Sequence, residues 1–307
     1  MKYIVKQCLF CKQNEELAEL YGRNFQDRDL TAEVFSARRS CDHFHYRMVR
    51  CKRCGLTFSR EVLSDDDLSI LYADSKVTFS EFTSILRKDY LRPLRPFLDI
   101  INKDAALELG CSSGFFLEEL KVQQFKSVYG CEPSVEAAQK ATSQIRENIS
   151  VQVFGRDIYP KESFDLVCSF QTLDHLSDPS ETVAICRDLL RTNGVAYFVT
   201  HNVASLTAKI LGEKSPIIDV EHIYLFNKKT LRRLFTEAGF KVLKVGNLYN
   251  SYPLNYWVKL LFKDRQTGKI ILNIINAIGL GRLAFPLPAG NIFIIAQRPK
   301  NSPLGLE

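Results

Sequence analysis

Between residues 107 and 115 the chain reads Leu107-Glu108-Leu109-Gly110-Cys111-Ser112-Ser113-Gly114-Phe115, a loop that leaves an apolar run and opens an amphipathic one. Gly110 and Gly114 let the backbone approach a ligand closely, and the first turn of the following helix offers free N–H donors. About 20 residues further on, a second apolar run ends in Glu132, where an acid accepts hydrogen bonds from ribose hydroxyls. The pair predicts an adenosine-containing cofactor. The loop is E-x-G-x-x-x-G and not G-x-G-x-x-G, so it lacks the glycine that admits a pyrophosphate beside the helix. A cofactor with a carboxylate and an amine in place of phosphates suits Glu108 and Gly110 better. The competing reading is a plain α/β turn over a buried acid.

Two histidine-bearing segments follow. Phe164-Asp-Leu-Val-Cys-Ser-Phe170 reads as a strand, and Gln171-Thr-Leu-Asp-His175 leaves its end. Ligands of parallel sheets bind outside the carboxyl ends of the strands. Gln171 and His175 are therefore candidates for the site, although His175 could instead cap the next helix. The second segment is Asp219-Val-Glu221-His222-Ile-Tyr224-Leu-Phe226. Histidine titrates near neutral pH, so His222, with Glu221 beside it, could accept a proton during a reaction. Alternatively, both order the loop over the cofactor.

Cysteine spacing marks a different chemistry. Cys8-x-x-Cys11 and Cys51-x-x-Cys54 fit a tetrahedral zinc held by four thiolates, a closed structural site with no position for substrate. The interval between the pairs is long for a compact zinc ribbon, and Cys41, His43 and His45 within it could replace a ligand.

The Gly loop, Glu132 and the strand at 164–170 together resemble class I S-adenosylmethionine-dependent methyltransferases over roughly residues 104 to 250. The resemblance implies S-adenosylmethionine as methyl donor. It places Gly110, Ser112 and Gly114 along the methionine and ribose, Glu132 on the ribose and Asp157 near the adenine. Asp174-His175 stands where Glu-His is common in that family. The Glu221-His222 segment and the cysteine pairs resemble zinc-bearing sugar carbon-methyltransferases, in which the histidine is a proposed base. By that resemblance the acceptor is a nucleotide sugar or glycan, methylated on carbon or oxygen. Those enzymes usually carry a further C-terminal domain, for which this chain leaves no room.

The elements that must position these residues follow from periodicity. Residues 104 to 250 alternate short apolar strands with amphipathic helices, which predicts an α/β fold: a Rossmann-like, mostly parallel sheet with helices on both faces. Residues 1–62 are expected as the zinc-ribbon-like module and 63–103 as a helical connector divided by Pro93 and Pro96. Residues 251–307 are expected as a helical lid and a final strand. Within that last segment, 252–287 could instead lie on a membrane surface with Lys259, Lys263 and Lys269 toward headgroups.

The chain has 41 Lys and Arg against 35 Asp and Glu, a net charge of +6 over 307 residues. That mild bias permits an anionic partner without requiring one. An RNA methyltransferase with an N-terminal zinc finger would share this order of modules, and Arg38, Arg39, Arg47, Arg50, Lys52 and Arg53 supply charge there. A non-catalytic scaffold that binds the cofactor is a further alternative. The first residues lack the long apolar stretch of a signal peptide, no window reads as a spanning helix, and paired plus buried thiols fit a reducing compartment. The expected location is the cytoplasm.

Overall fold

A computed structural model describes residues 1–35, 42–73, 83–261 and 266–300. Arg38, Arg39, Cys41 and Lys263, and the side chain of Lys259, lie outside the described part.

The N-terminal part contains β1 (Tyr3–Val5), β2 (Leu17–Tyr21), β3 (Met48–Cys51), β4 (Thr57–Ser59) and β5 (Glu61–Leu63), then helices α1 (Asp65–Ala73) and α2 (Thr83–Leu94). Three aspartates in the first turn of α1 match the positive end of its dipole. Pro93 lies in the last turn of α2, and the chain continues through a 3-10 segment, Arg95–Ile100.

The larger part runs β6 (Ala105–Leu109), α3 (Phe115–Val122), β7 (Ser127–Cys131), α4 (Val135–Gln139), α5 (Ser143–Arg146), β8 (Ile149–Ser150), β9 (Phe164–Phe170), α6 (Pro179–Leu189), β10 (Leu190–His201) and α7 (Leu206–Leu211). It continues with β11 (Tyr224–Leu225), α8 (Lys228–Glu237), β12 (Lys241–Pro253), α9 (Leu254–Leu261), α10 (Gln266–Ala277) and β13 (Ala284–Gln297). Strand order in the main sheet is β12-β13-β10-β9-β6-β7-β8. The run from β10 to β8 is parallel, and β13 is antiparallel to both of its neighbours. This is the expected Rossmann-like α/β architecture. Between β7 and β9 lie two short helices and the two-residue strand β8.

Strand residues alternate between two cores, as a sheet covered on both faces requires. Leu107, Leu109, Val167, Ala196 and Phe198 face one core; Ala106, Leu166, Cys168, Val195, Tyr197 and Val199 face the other. The first core runs on without a break into the N-terminal part, through Tyr46, Phe58, Val62 and Leu63. Strand β11 comes from the far side of the sequence and pairs with β4, completing a four-stranded sheet in the order β11-β4-β3-β2. The segment that carries His222 therefore ends as an edge strand of the cysteine-bearing sheet.

Helices α9 and α10 form an insertion between the paired strands β12 and β13. Trp257 and Val258 of α9 are buried, whereas Ile270, Ile274 and Ile278 are exposed. Among the described residues, no helix is long and apolar enough to cross a membrane.

Candidate functional site

The order of strand placement reverses at β6. From this strand the chain proceeds to β7 on one side, and later places β9 on the other. That is a topological switch point, where an open α/β sheet has its ligand crevice. The Gly loop leaves β6 here and Gln171 leaves β9, so strand order brings the two sequence-predicted segments together.

The loop is held by its own backbone. Gly110 N–H donates to Cys131 O at 2.8 Å and Gly114 N–H to Cys111 O at 2.8 Å. Gly110 (φ +67°) and Gly114 (φ +69°) occupy the left-handed region, which L side chains enter at a cost. A Cβ on Gly110 would run into the Thr172 side chain, and one on Gly114 would meet Ile145 Cγ2 at 2.5 Å. Both glycines are thus required by loop conformation and packing, and not only by room for a ligand. Ser112 (φ +49°) and Gln171 (φ +54°) adopt positive φ without being glycine. Such strain persists where surrounding structure enforces it, often at ligand sites.

Glu132 ties the loop to β7. Its Oε2 accepts the Ser112 N–H at 2.8 Å and its Oε1 the Ser134 N–H at 2.9 Å. Burial raises its carboxyl above the ordinary range, and the two amides oppose that shift. Glu108 is buried at the end of β6. Burial first, and the charge of Glu132 second, push its carboxyl well above the ordinary range. Glu108 Oε2 and Gln171 Oε1 are buried without hydrogen-bond partners among the described residues. Unsatisfied acceptors at a switch point suit a ligand that brings donors, such as the ammonium of a methionine moiety. Tyr90 of α2, which the sequence reading did not single out, stacks on Phe170 with ring centroids 4.3 Å apart. Asp157 is exposed in a turn beyond β8.

Beyond Gln171 lies a buried cluster. Asp174 is completely buried. Its carboxylate Oδ2 accepts from Nδ1 of His201, at the end of β10, and lies 3.8 Å from Nε2 of His222. The rings of His175 and His201 stand 4.9 Å and 4.6 Å from that of His222. His175 Nδ1 is 3.2 Å from the Tyr72 hydroxyl, and His222 Nδ1 is 2.9 Å from Ile217 O. A carbonyl accepts only, so His222 carries its proton on Nδ1 and presents a lone pair on Nε2. Burial would raise the Asp174 carboxyl, but the charge and hydrogen bond of His201, helped by His222 and His175, hold it well below the usual carboxylate range. Burial brings His222 down to about 4, with His201 and His175 adding to the shift. Glu221 is half-buried, and its N–H donates to Asp219 Oδ1 at 3.2 Å. Asp174 adjoins His175 in the segment the sequence marks, whereas His201 carries no motif of its own. The polar triplet Thr200-His201-Asn202, directly after the apolar run 195–199 at the carboxyl end of β10, was the available signal.

The four paired cysteines converge. Cys8 Sγ lies 3.4 Å from Cys54 Sγ, and Cys11 Sγ lies 3.9 Å from Cys51 Sγ. Thiolates on a tetrahedral zinc with bonds of about 2.3 Å stand roughly 3.8 Å apart, so the donor set fits that ion. The two pairs form matching knuckles. Lys12 N–H bonds Cys8 O and Gly55 N–H bonds Cys51 O, each at 2.9 Å, and Lys12 and Gly55 both have positive φ. The amides of Cys54 and Arg53, with the neighbouring thiols, bring the Cys51 thiol down to about 7 against the effect of burial, while burial raises Cys8 and Cys54. His45 is no replacement ligand: its ring nitrogens are engaged by Tyr46 O at 2.9 Å and Glu213 Oε1 at 3.0 Å. His43 lies outside the thiol cluster.

The domain that holds this crevice has known relatives. The profile of a family described as a methyltransferase domain matches residues 82–245, more than half of the chain. The chain belongs to that family. Residues 82–245 are thus a methyltransferase domain. The tRNA U34 carboxymethyltransferase of Campylobacter fetus subsp. fetus (strain 82-40) is 25% identical over 178 residues, covering 56% of this chain and 62% of that one. The ubiquinone biosynthesis O-methyltransferase of Pasteurella multocida (strain Pm70) is 30% identical over 115 residues, covering 31% and 46%. The chain thus spans less than two thirds of the length of either relative. A SAM-dependent methyltransferase from Archaeoglobus fulgidus has 19% identity and a TM-score of 0.48, over 70% of this chain and 97% of that one.

Proposed function

We propose that the chain methylates a small molecule at an oxygen, or at a carbon that bears an acidic hydrogen, and that His222 takes up the displaced proton. The observation that carries this reading is the fixed tautomer of His222. Ile217 O holds Nδ1–H, which leaves the Nε2 lone pair beside buried Asp174. S-adenosylmethionine, when bound, supplies a methyl group on a sulfonium. Gly110, Ser112 and Gly114 would shape its cradle, Glu132, which fixes the loop, would hold the ribose, Glu108 and Gln171 would receive its donors, and Asp157 would serve the adenine. The buried walls exclude water and align donor with acceptor. The proton displaced from the acceptor would pass to the His222 Nε2 lone pair. Asp174 stabilises the imidazolium so formed, and His175 and Glu221 border the same space.

The nucleotide-sugar or glycan acceptor expected from the sequence is one member of this class and rests on the resemblance alone. The relatives described above are named for tRNA and for ubiquinone biosynthesis. An RNA acceptor is the second reading, favoured by the tRNA-named relative. The basic residues near the cysteines are largely engaged with protein groups, however. Arg47 pairs with Glu61 and Glu19, Arg53 with Glu16, and Arg50 lies 3.4 Å from Thr57 Oγ1. We infer that Cys8, Cys11, Cys51 and Cys54 hold one structural zinc, and that the reduced, buried thiols suit the cytoplasm.

Transfer of labelled methyl groups to nucleotide sugars, glycans, phenolic acids and tRNA, in parallel, tests the reading. Label on a small molecule, lost in His222→Gln while cofactor affinity is kept, supports it. Label on tRNA alone overturns it, and cofactor binding without transfer to any acceptor favours the scaffold alternative.

A further inference from the structure

The cluster around Asp174 presents acceptors to one another with too few protons between them. His201 Nδ1–H serves Asp174 Oδ2, and His222 commits its only neutral-form proton to Ile217 O. That leaves the His222 Nε2 lone pair 3.8 Å from a carboxylate oxygen. Asp174 Oδ1 is buried with no hydrogen-bond partner among the described residues. An unpaired oxygen of a buried carboxylate is costly, and two facing lone pairs repel. A cation between His222 Nε2 and Asp174 Oδ2 removes the repulsion, and a bidentate carboxylate would bring Oδ1 to it as well.

We propose that Asp174, His175 and His222 form a second divalent-metal site, separate from the four thiols. Their donor atoms all lie within 4.8 Å of one another. A tetrahedral ion with bonds of about 2.1 Å sets its ligands roughly 3.4 Å apart, so closure needs only small rotamer shifts. Two imidazoles and one carboxylate select a borderline ion (zinc, cobalt, nickel or ferrous iron) over magnesium or calcium, and leave positions open for an outside oxygen ligand. The surroundings supply the outer hydrogen bonds that orient ligating histidines: Ile217 O on His222 Nδ1, the Tyr72 hydroxyl on His175 Nδ1, and His201 on the carboxylate. The proposal shares its location with the acceptor site above. An ion and a proton compete for His222 Nε2. With the ion bound, His222 would act as a ligand and not as the proton acceptor.

The test is metal stoichiometry. The full chain, stripped with chelator, reloaded with zinc and desalted, should hold two zinc ions. A mercurial that blocks thiols should release one and leave the other. His222→Ala and His175→Gln, separate variants in case one fails to fold, should each hold one, wholly released by the mercurial. One zinc in the wild-type chain, all of it mercurial-sensitive, overturns the proposal, as does a second zinc retained in both variants. Calorimetry with S-adenosylhomocysteine on the same preparations separates this result from the methyl-transfer reading. Binding at one zinc rejects only the second metal site, whereas absent binding at two zincs rejects only the cofactor site.

Discussion

The Ser59 hydroxyl, on the last residue of β4 in the cysteine-bearing sheet, donates to the backbone carbonyl of His222 at 2.9 Å. Ser59 N–H donates to Ile223 O at 2.8 Å, and Asp174 O in turn accepts the N–H groups of Ile223 and Tyr224 at 2.8 Å and 3.1 Å. One strand end therefore ties the cysteine module, the His222 loop and the Asp174 loop into a continuous backbone network. Ser59→Ala should cost on the order of 1 kcal/mol of stability, the usual worth of one buried hydrogen bond. It should also lower turnover with little change in cofactor affinity. Equal losses in turnover and affinity would show that the contact supports the whole domain and not the loop.

Metal removal extends the same logic. Because β11 pairs with β4, unfolding of the cysteine module takes an edge away from the His222 loop. A thiophilic chelator should lower the melting temperature, and Cys51→Ser should reproduce the effect without chelator, since zinc binding in such modules is folding free energy. Metal analysis that finds no zinc in freshly purified wild-type protein would count against the four-thiolate site.

Gly110 offers a sharper steric test. Alanine there must adopt φ near +67° and press its Cβ into Thr172. Gly110→Ala is expected to lose more than about 1 kcal/mol of stability, the general cost of a left-handed non-glycine residue, and to weaken cofactor binding at least tenfold. Gly55→Ala also sits at positive φ but has open space around it, so it should spare cofactor affinity. Titration of both variants with S-adenosylhomocysteine makes the comparison.

Glu132 should separate charge from shape. Glu132→Gln keeps an acceptor for one of the Ser112 and Ser134 amides, whereas Glu132→Ala leaves both unanswered. Each unsatisfied buried amide costs about 1–3 kcal/mol. The alanine variant should be clearly less stable than the glutamine variant by denaturant titration, and only the glutamine variant should keep measurable cofactor binding.

Acid should destabilise the fold through His222. Its value falls from 6.5 to about 4 on burial, so the native state resists a proton that the unfolded chain accepts. The associated stability is complete above 6.5 and is lost as pH falls toward 4. His175 is also lowered by burial and contributes with the same sign. Glu108 has the opposite sign: its carboxyl is raised, so its contribution is complete below 4.5 and is lost as pH rises through its folded value. The denaturation midpoint should therefore drop on the acid side, with a shallower slope in His222→Gln. An unchanged slope would place the titration elsewhere.

Periodicity and motif spacing made much of this legible. The alternation of apolar strands with helices after residue 104, the glycines at 110 and 114 and the two C-x-x-C pairs are local patterns, set by chain conformation over a few residues. Features that depend on strand order were not legible. His201 meets Asp174 only because β10 lies beside β9. Tyr72 and Tyr90 reach the crevice from helices that precede the sheet in sequence. The β4–β11 pairing joins segments more than 160 residues apart, and its two-residue strand is too short to carry a periodic signal.

Calorimetric titration with S-adenosylhomocysteine probes the cofactor crevice proposed at the β6/β9 switch point. Micromolar binding at one site per chain, abolished by Gly110→Arg and by Glu132→Ala in protein that remains folded, is the predicted result. Absence of binding to folded, zinc-loaded wild-type protein would contradict it.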